Sequence, residues 1–194
     1  MNRQRVYKLI VLASGNGSNF EAIVRHIRDE NLPMKVTYLL TDNPKAYALE
    51  RAERLGIPSK ILDYKSFDNR DEYNRALLKA LKSLDFDLIV LAGYMRILPP
   101  FIVREFCRKI INIHPSLLPA FPGLHAIEKA YKYGVKVTGV TVHYVDEGVD
   151  TGPIILQECV KIEDDDTLET LEERIHKVEH EIYIKAIKKV LLRN

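Results

Sequence analysis

Leu88-Ile89-Val90-Leu91-Ala92 contains no polar position, and a strand that is apolar on both faces has to be covered on both faces. More than any other feature, that requirement restricts the chain to a layered fold in which helices cover a sheet. The preceding residues supply those helices. Residues 7–13 form a continuous apolar strand, and residues 19–28 follow as an amphipathic helix with Phe20, Ile23, Val24 and Ile27 on one face. Residues 36–40 read as the next strand. Residues 47–55 read as a helix closed by Gly56, where a left-handed cap is wanted. A third strand covers residues 57–62, and residues 70–84 place Tyr73, Leu77, Leu78 and Leu81 at helical spacing. Each strand-helix-strand step implies a right-handed crossover and therefore parallel strands.

The pattern changes after Pro119. Residues 135–145 and 154–162 are long, β-branched and closely spaced, the signature of antiparallel neighbours. The fold expected is thus α/β: an open, mostly parallel, Rossmann-like sheet with helices on both faces and an antiparallel C-terminal extension, in a single domain spanning residues 1–194. The last helix covers residues 167–192, with Asp166 as its N-cap and Glu169 three residues on. Its buried stripe is Leu168, Leu171, Ile175, Val178, Ile182, Ala186 and Val190. At about 100° per residue Glu179 falls roughly 40° from the centre of that stripe. A carboxylate there is either paired internally or faces a cavity, and periodicity alone favours the pair.

Bulk properties exclude several function classes. With 46% hydrophobic and 29% charged residues in 194, the chain fits one globular domain, and a formal net charge of +2 offers no electrostatic case for nucleic acid. Residues 1–5 lead straight into a strand, which is not how a signal peptide is built, and no apolar run approaches the roughly 18 residues of a membrane helix. Cys107 and Cys159 lie on separate elements without metal-ligand spacing, so a reduced cytoplasmic protein without a metal is expected.

The chemistry concentrates in three loops. Asn112-Ile113-His114-Pro115-Ser116-Leu117-Leu118-Pro119 ends a short strand, and alternation sends Asn112 and His114 to one face. In an open α/β sheet the carboxyl end of a strand is where ligands bind. The acidic loop Asp146-Glu147-Gly148-Val149-Asp150-Thr151-Gly152-Pro153 offers Asp150 to the imidazole, and a carboxylate there would favour its charged form. With no Ser or Cys nucleophile in the set, direct transfer is implied. Ser14-Gly15-Asn16-Gly17-Ser18-Asn19 joins a strand to a helix, where glycines let N–H groups approach a phosphate. Taken alone it also reads as a tight turn with Asn19 as N-cap, since Phe20 stands where the third glycine of a dinucleotide fingerprint belongs. His143, on a strand, reads as packed or hydrogen-bonded, and His26, His176 and His180 as structural or surface residues.

Ser14-Gly15-Asn16-Gly17-Ser18-Asn19, Gly93-Tyr94-Met95-Arg96-Ile97-Leu98, the Asn112 to Pro119 run and Asp150-Thr151-Gly152-Pro153, in that order, resemble the phosphoribosylglycinamide formyltransferase (GAR transformylase) family of formyl-folate transferases. The resemblance extends over residues 8–183. It implies transfer of a formyl group from 10-formyltetrahydrofolate to the amine of glycinamide ribonucleotide in purine biosynthesis, with Asn112, His114 and Asp150 catalytic. It assigns Asn16, Gly17, Ser18, Asn19 and Glu179 to the ribonucleotide, reversing the preference for an internal Glu179 pair. To the folate it assigns Arg70, Met95, Arg96, Ile97, Leu98, Asn112 and Asp146. The expected partners are these two small molecules, with no nucleic acid and no membrane, and the protein is a monomer or homodimer. Gly148, Val149 and Thr151 depart from the usual acidic loop. Methionyl-tRNA formyltransferase, which carries a C-terminal RNA-binding domain, and formyltetrahydrofolate hydrolase, which carries an N-terminal regulatory one, fit the chain less well. From another class, a non-catalytic nucleotide-binding module would use the glycine loop alone.

Overall fold

The computed structural model describes residues 5–192, which fall into two compact units, Met1–Ile110 and Ile111–Asn194. In the first unit β1 (Tyr7–Leu12), β2 (Met34–Thr41), β3 (Ser59–Ile61) and β4 (Leu88–Leu91) are parallel in the order β3-β2-β1-β4. The connections are α1 (Ser18–Asp29), α2 (Ala48–Leu55) and α3 (Arg70–Lys82), and α4 (Pro100–Glu105) follows β4. All four residues of β4 are buried, as its apolar sequence requires. The strand expected over residues 57–62 shrinks to three exposed residues at the sheet edge. The helix α4 was not foreseen. Six residues are too few to show a helical period, and Pro99-Pro100 reads as a stop although Pro100 opens the helix.

Two caps bear on function. Gly56 closes α2 with φ 65°, as anticipated. The cap of α1 is Gly17, with φ 75°, and not Asn19, which lies inside the first turn. A Cβ on Gly17 would sit 2.6 Å from Ala48 Cβ and 2.9 Å from its Cα, so the glycine is needed both for its left-handed backbone and for the close approach of α2. Behind this turn the buried Glu21 accepts hydrogen bonds from Arg25, Arg51 and Arg54. Burial pushes the Glu21 pKa up, but the hydrogen bonds and charges of Arg51 and Arg25 outweigh it and hold the carboxyl below its ordinary value.

The second unit is antiparallel. It comprises β5 (Ile110–His114, its first residue closing the first unit), α5 (Ala126–Tyr133), β6 (Val137–Tyr144), β7 (Ile154–Lys161) and α6 (Leu168–Leu191). Strand β6 pairs with both β5 and β7, and its register sets Asn112 opposite His143 and His114 opposite Thr141. In α6 the N-cap is Thr167, reciprocally bonded with Thr170, rather than Asp166. Asp166 instead accepts from Glu163 N–H, Thr170 Oγ1 and Arg174. The buried face of α6 is centred on Leu171, Ile175, Ile182, Tyr183 and Ile187, and Glu179 lies within it at 5% exposure.

Gly17→Ala is expected to lower stability by roughly 2 kcal/mol, combining a positive-φ cost with the clash against Ala48, as read by denaturant unfolding. Glu21→Gln leaves three guanidinium groups without their carboxylate and should cost about 1–3 kcal/mol near neutral pH. Because the folded-state pKa is depressed, that contribution is complete above about pH 4.3 and is lost as the pH falls through the folded value. Unfolding midpoints of the two proteins should therefore converge in acid.

Candidate active site

At the carboxyl end of β5 the expected residues do come together. Asp150 Oδ2 lies 3.3 Å from His114 Nδ1 and accepts from Gly123 N–H at 2.8 Å. The other ring nitrogen of His114, Nε2, is 2.8 Å from the Phe121 carbonyl oxygen. Two acceptors therefore flank the ring, and both are satisfied only when both nitrogens carry a proton. In that doubly protonated form the N–H groups of His114 go to Asp150 and Phe121, and the Asn112 amide keeps an N–H to present to a ligand.

His143, expected to be packed or hydrogen-bonded, is hydrogen-bonded, and within this same cluster. Its Nδ1 bonds the Tyr144 carbonyl at 2.8 Å, and its Nε2 is 3.4 Å from Asn112 Nδ2 and 3.6 Å from Asp150 Oδ1. A neutral His143 accepts from the Asn112 amide, and a charged one donates to the carboxylate. Each form bonds one of the two. Burial pushes the Asp150 pKa up, but the bonds from His143 and Gly123 and the charges of both imidazoles prevail and hold it below the ordinary value. The register Asn112 opposite His143 could have revealed this partner, once residues 135–145 were paired with the strand at 110–114.

Support comes from the turn that follows. Thr141 Oγ1 donates to Ser116 O and accepts from Leu118 N–H, and Gln157 Nε2 bonds both Leu118 O and Thr141 Oγ1. In the acidic loop Asp146 Oδ1 accepts from Gly148 N–H and from Thr151 Oγ1 at 2.7 Å, so Thr151 braces the loop.

In the first unit the glycine loop crosses from β1 to α1. Asn16 is gripped by Arg51, whose Nε donates to its backbone oxygen and whose Nη2 donates to Oδ1, each at 2.8 Å. Residues 93–98 are held from three sides. Ser14 Oγ accepts from Met95 N–H, Arg70 donates to Ile97 O, and Arg96 both bonds Asp42 at 2.7 Å and stacks 3.8 Å over the Tyr64 ring. The cations of Arg70 and Arg96 thus serve the loop itself. Leu98 is buried, whereas Met95 and Ile97 are 62% and 56% exposed. Exposed apolar side chains on a pinned backbone are what a flat heterocycle needs.

Glu179 is bonded to His176, its Oε2 lying 2.9 Å from Nδ1. His176, read from the sequence as a partnerless residue, is therefore a carboxylate's partner, and the Glu179 bond raises its pKa against the opposing effect of burial. The i, i+3 spacing is the signal that could have disclosed it.

Comparison with known proteins accords with this geometry. Residues 7–187 match the formyl transferase family. The chain is 51% identical over 184 residues to the phosphoribosylglycinamide formyltransferase of Bacillus subtilis (strain 168), covering 95% of this chain and 94% of that protein. It is 42% identical over 183 residues to the trifunctional purine biosynthetic protein adenosine-3 of Homo sapiens, covering 94% of this chain and 18% of that larger protein. The crystal structure of phosphoribosylglycinamide formyltransferase from Bacillus halodurans superposes with a TM-score of 0.91 at 49% identity, over 96% of each chain. The fold class expected from the sequence, mostly parallel strands followed by an antiparallel extension, is the one these relatives share. The chain belongs to the formyl transferase family.

Proposed function

We propose that the protein transfers the formyl group of 10-formyltetrahydrofolate to the amine of glycinamide ribonucleotide, a step of de novo purine biosynthesis. The observation that carries this reading is the His114 imidazole clamped between Asp150 and Phe121 beside the Asn112 amide, on a chain half identical to an enzyme named for this transfer. The reaction demands little else. The amine lone pair attacks the formyl carbon, the carbonyl oxygen takes up negative charge, and one proton passes from the attacking amine to the departing folate nitrogen. Asn112 donates to that oxygen, His114 stabilises it by charge, and Asp150 keeps the ring charged and aligned. His143 stands beside both, its Nε2 within reach of the Asn112 amide or the Asp150 carboxylate.

Binding is assigned by residue. Asn16, Gly17, Ser18 and Asn19 take the ribonucleotide's phosphate, and Glu179 is assigned to the same ribonucleotide. Met95 and Ile97 border the pteridine with backbone held by Arg70 and Arg96, while Leu98 and Asp146 shape the loops around it. The family match runs through both compact units, which supports reading residues 1–194 as one formyltransferase domain. No helix among the described residues is long and apolar enough to cross a membrane, in keeping with a cytoplasmic enzyme that acts on two small molecules as a monomer or homodimer. The decisive assay combines glycinamide ribonucleotide with 10-formyltetrahydrofolate and follows both products beside a control without the amine. Folate consumption as fast without the amine as with it would indicate a hydrolase, and consumption in neither a binding module.

Asp150→Asn should fold normally, because asparagine tolerates the φ of 56° found here, yet lose about 10²-fold or more in turnover. The Asp150 carboxyl is held below its ordinary value, so the wild type keeps the carboxylate throughout about pH 6–8, and near-normal turnover of the variant across that range would overturn the assignment. Glu179→Gln should raise the KM for glycinamide ribonucleotide roughly tenfold and leave that for the folate unchanged. Its partner His176 is half exposed, so the stability cost should stay below about 1 kcal/mol. Because the His176 pKa is raised on folding, that cost should be complete below about pH 6.5 and vanish as the pH rises through the folded value. Unaltered kinetics with a large loss of stability would remove Glu179 from the site.

A further inference from the structure

The backbone of residues 14–17 is oriented in one sense. Ser14 O accepts from Asn43 Nδ2 at 3.1 Å, Gly15 O from Ala48 N–H at 3.1 Å, Asn16 O from Arg51 Nε at 2.8 Å and Gly17 O from Glu21 N–H at 3.0 Å. The one side-chain acceptor amide oxygen in this stretch, Asn16 Oδ1, is taken by Arg51 Nη2 at 2.8 Å. Meanwhile the N–H groups of Gly15, Asn16, Gly17 and Ser18 find no acceptor among the described residues. Acceptors are consumed by the protein and donors are left over.

The Gly17 bond belongs to the start of α1, and those at Ser14 and Gly15 come from Asn43 and the first residue of α2. Asn16 differs in that both of its oxygens depend on a single side chain contributed by α2. We infer that Arg51 is the positioning residue that makes the loop selective for a phosphate: by occupying both oxygens of Asn16 it orients the amide so that only its N–H groups remain for the ligand. The guanidinium is itself fixed. Glu21 accepts from its remaining nitrogen, it lies 4.9 Å from the Tyr47 ring centroid, and its side chain is 18% exposed. Arg25 and Arg54 share the same carboxylate, so three cations against one anion leave a positive field behind the loop. Without Arg51 the Asn16 amide is free to rotate, and an oxygen turned outward would repel a phosphate dianion.

This inference rests on the reading that the glycine loop holds the ribonucleotide's phosphate, and two substitutions separate them. Asn16→Asp keeps an oxygen for Arg51 but replaces the outward donor by negative charge, so it tests the reading. Arg51→Met removes the grip and tests the inference. Both are compared with the wild type for KM of glycinamide ribonucleotide, KM of the folate, and the preference for the ribonucleotide over its phosphate-free riboside. Arg51→Met is expected to raise the ribonucleotide KM roughly tenfold, to shrink the preference over the riboside by a similar factor, and to leave the folate KM and kcat unchanged. Arg51→Lys should recover little, because a single ammonium does not reproduce the planar fork that reaches both oxygens. An unchanged preference in Arg51→Met alongside a reduced one in Asn16→Asp overturns the inference and leaves the phosphate reading standing. An unchanged preference in both overturns the two together. Equal losses for ribonucleotide, riboside and folate in Arg51→Met would mark general damage to the loop and also overturn it.

Discussion

Asp150 is a carboxylate with little access to water, and such a group remains an anion only if the protein replaces the solvent it has lost. Three segments of the second unit are recruited to do so. Gly123 brings an N–H from the turn before α5, His114 an imidazole from the end of β5, and His143 another from β6. Each partner is constrained by the others. The β5 and β6 register sets Asn112 opposite His143, and Phe121, two residues before Gly123, holds the far side of the His114 ring. Loss of the charge at Asp150 would leave two imidazoles and a turn without their common acceptor, so the cost would fall on geometry as much as on electrostatics. The left-handed backbone at Asp150 and at Phe121 shows how far the loops bend to reach this arrangement.

What could be read from the sequence was what is local or periodic. The fully apolar run at residues 88–92 demanded a covered parallel strand, and Leu88–Leu91 is buried throughout. Gly56 stands where a helix must stop, and it stops there. Alternation along residues 110–114 was enough to place Asn112 and His114 on one face, and the acidic loop supplied Asp150. These inferences needed only the period of a strand and the conformational reach of glycine.

What escaped was set by tertiary contacts. Two helix caps were misassigned because Asn19 and Asp166 are good cap residues by type, whereas the position of the cap was decided elsewhere: by the approach of Ala48 to Gly17, and by Arg174 and the Glu163 N–H competing for Asp166. The hydrogen-bond partners of His143 and His176 are not legible in the sequence, since one needs a strand register and the other an i, i+3 neighbour to be found. Arg51 left no trace in the sequence at all. Its role depends on α2 lying beside a loop some 35 residues earlier in the chain.

The two sites solve opposite electrostatic problems with the same means. At Asp150 an anion is sustained by surrounding donors, and the charge is shared out to an imidazole whose nitrogens are both committed. At the glycine loop the donors are what must be preserved, and the protein supplies acceptor-seeking groups from behind to keep the oxygens turned away. In both places the working group is defined by what has already been satisfied. A buried polar atom with a partner has a fixed direction, and the direction of its neighbours follows from it. That is why a guanidinium whose three nitrogens each bond the protein, Arg51, sets the direction of the Asn16 amide, and why His114, flanked by two acceptors, has a fixed ring plane.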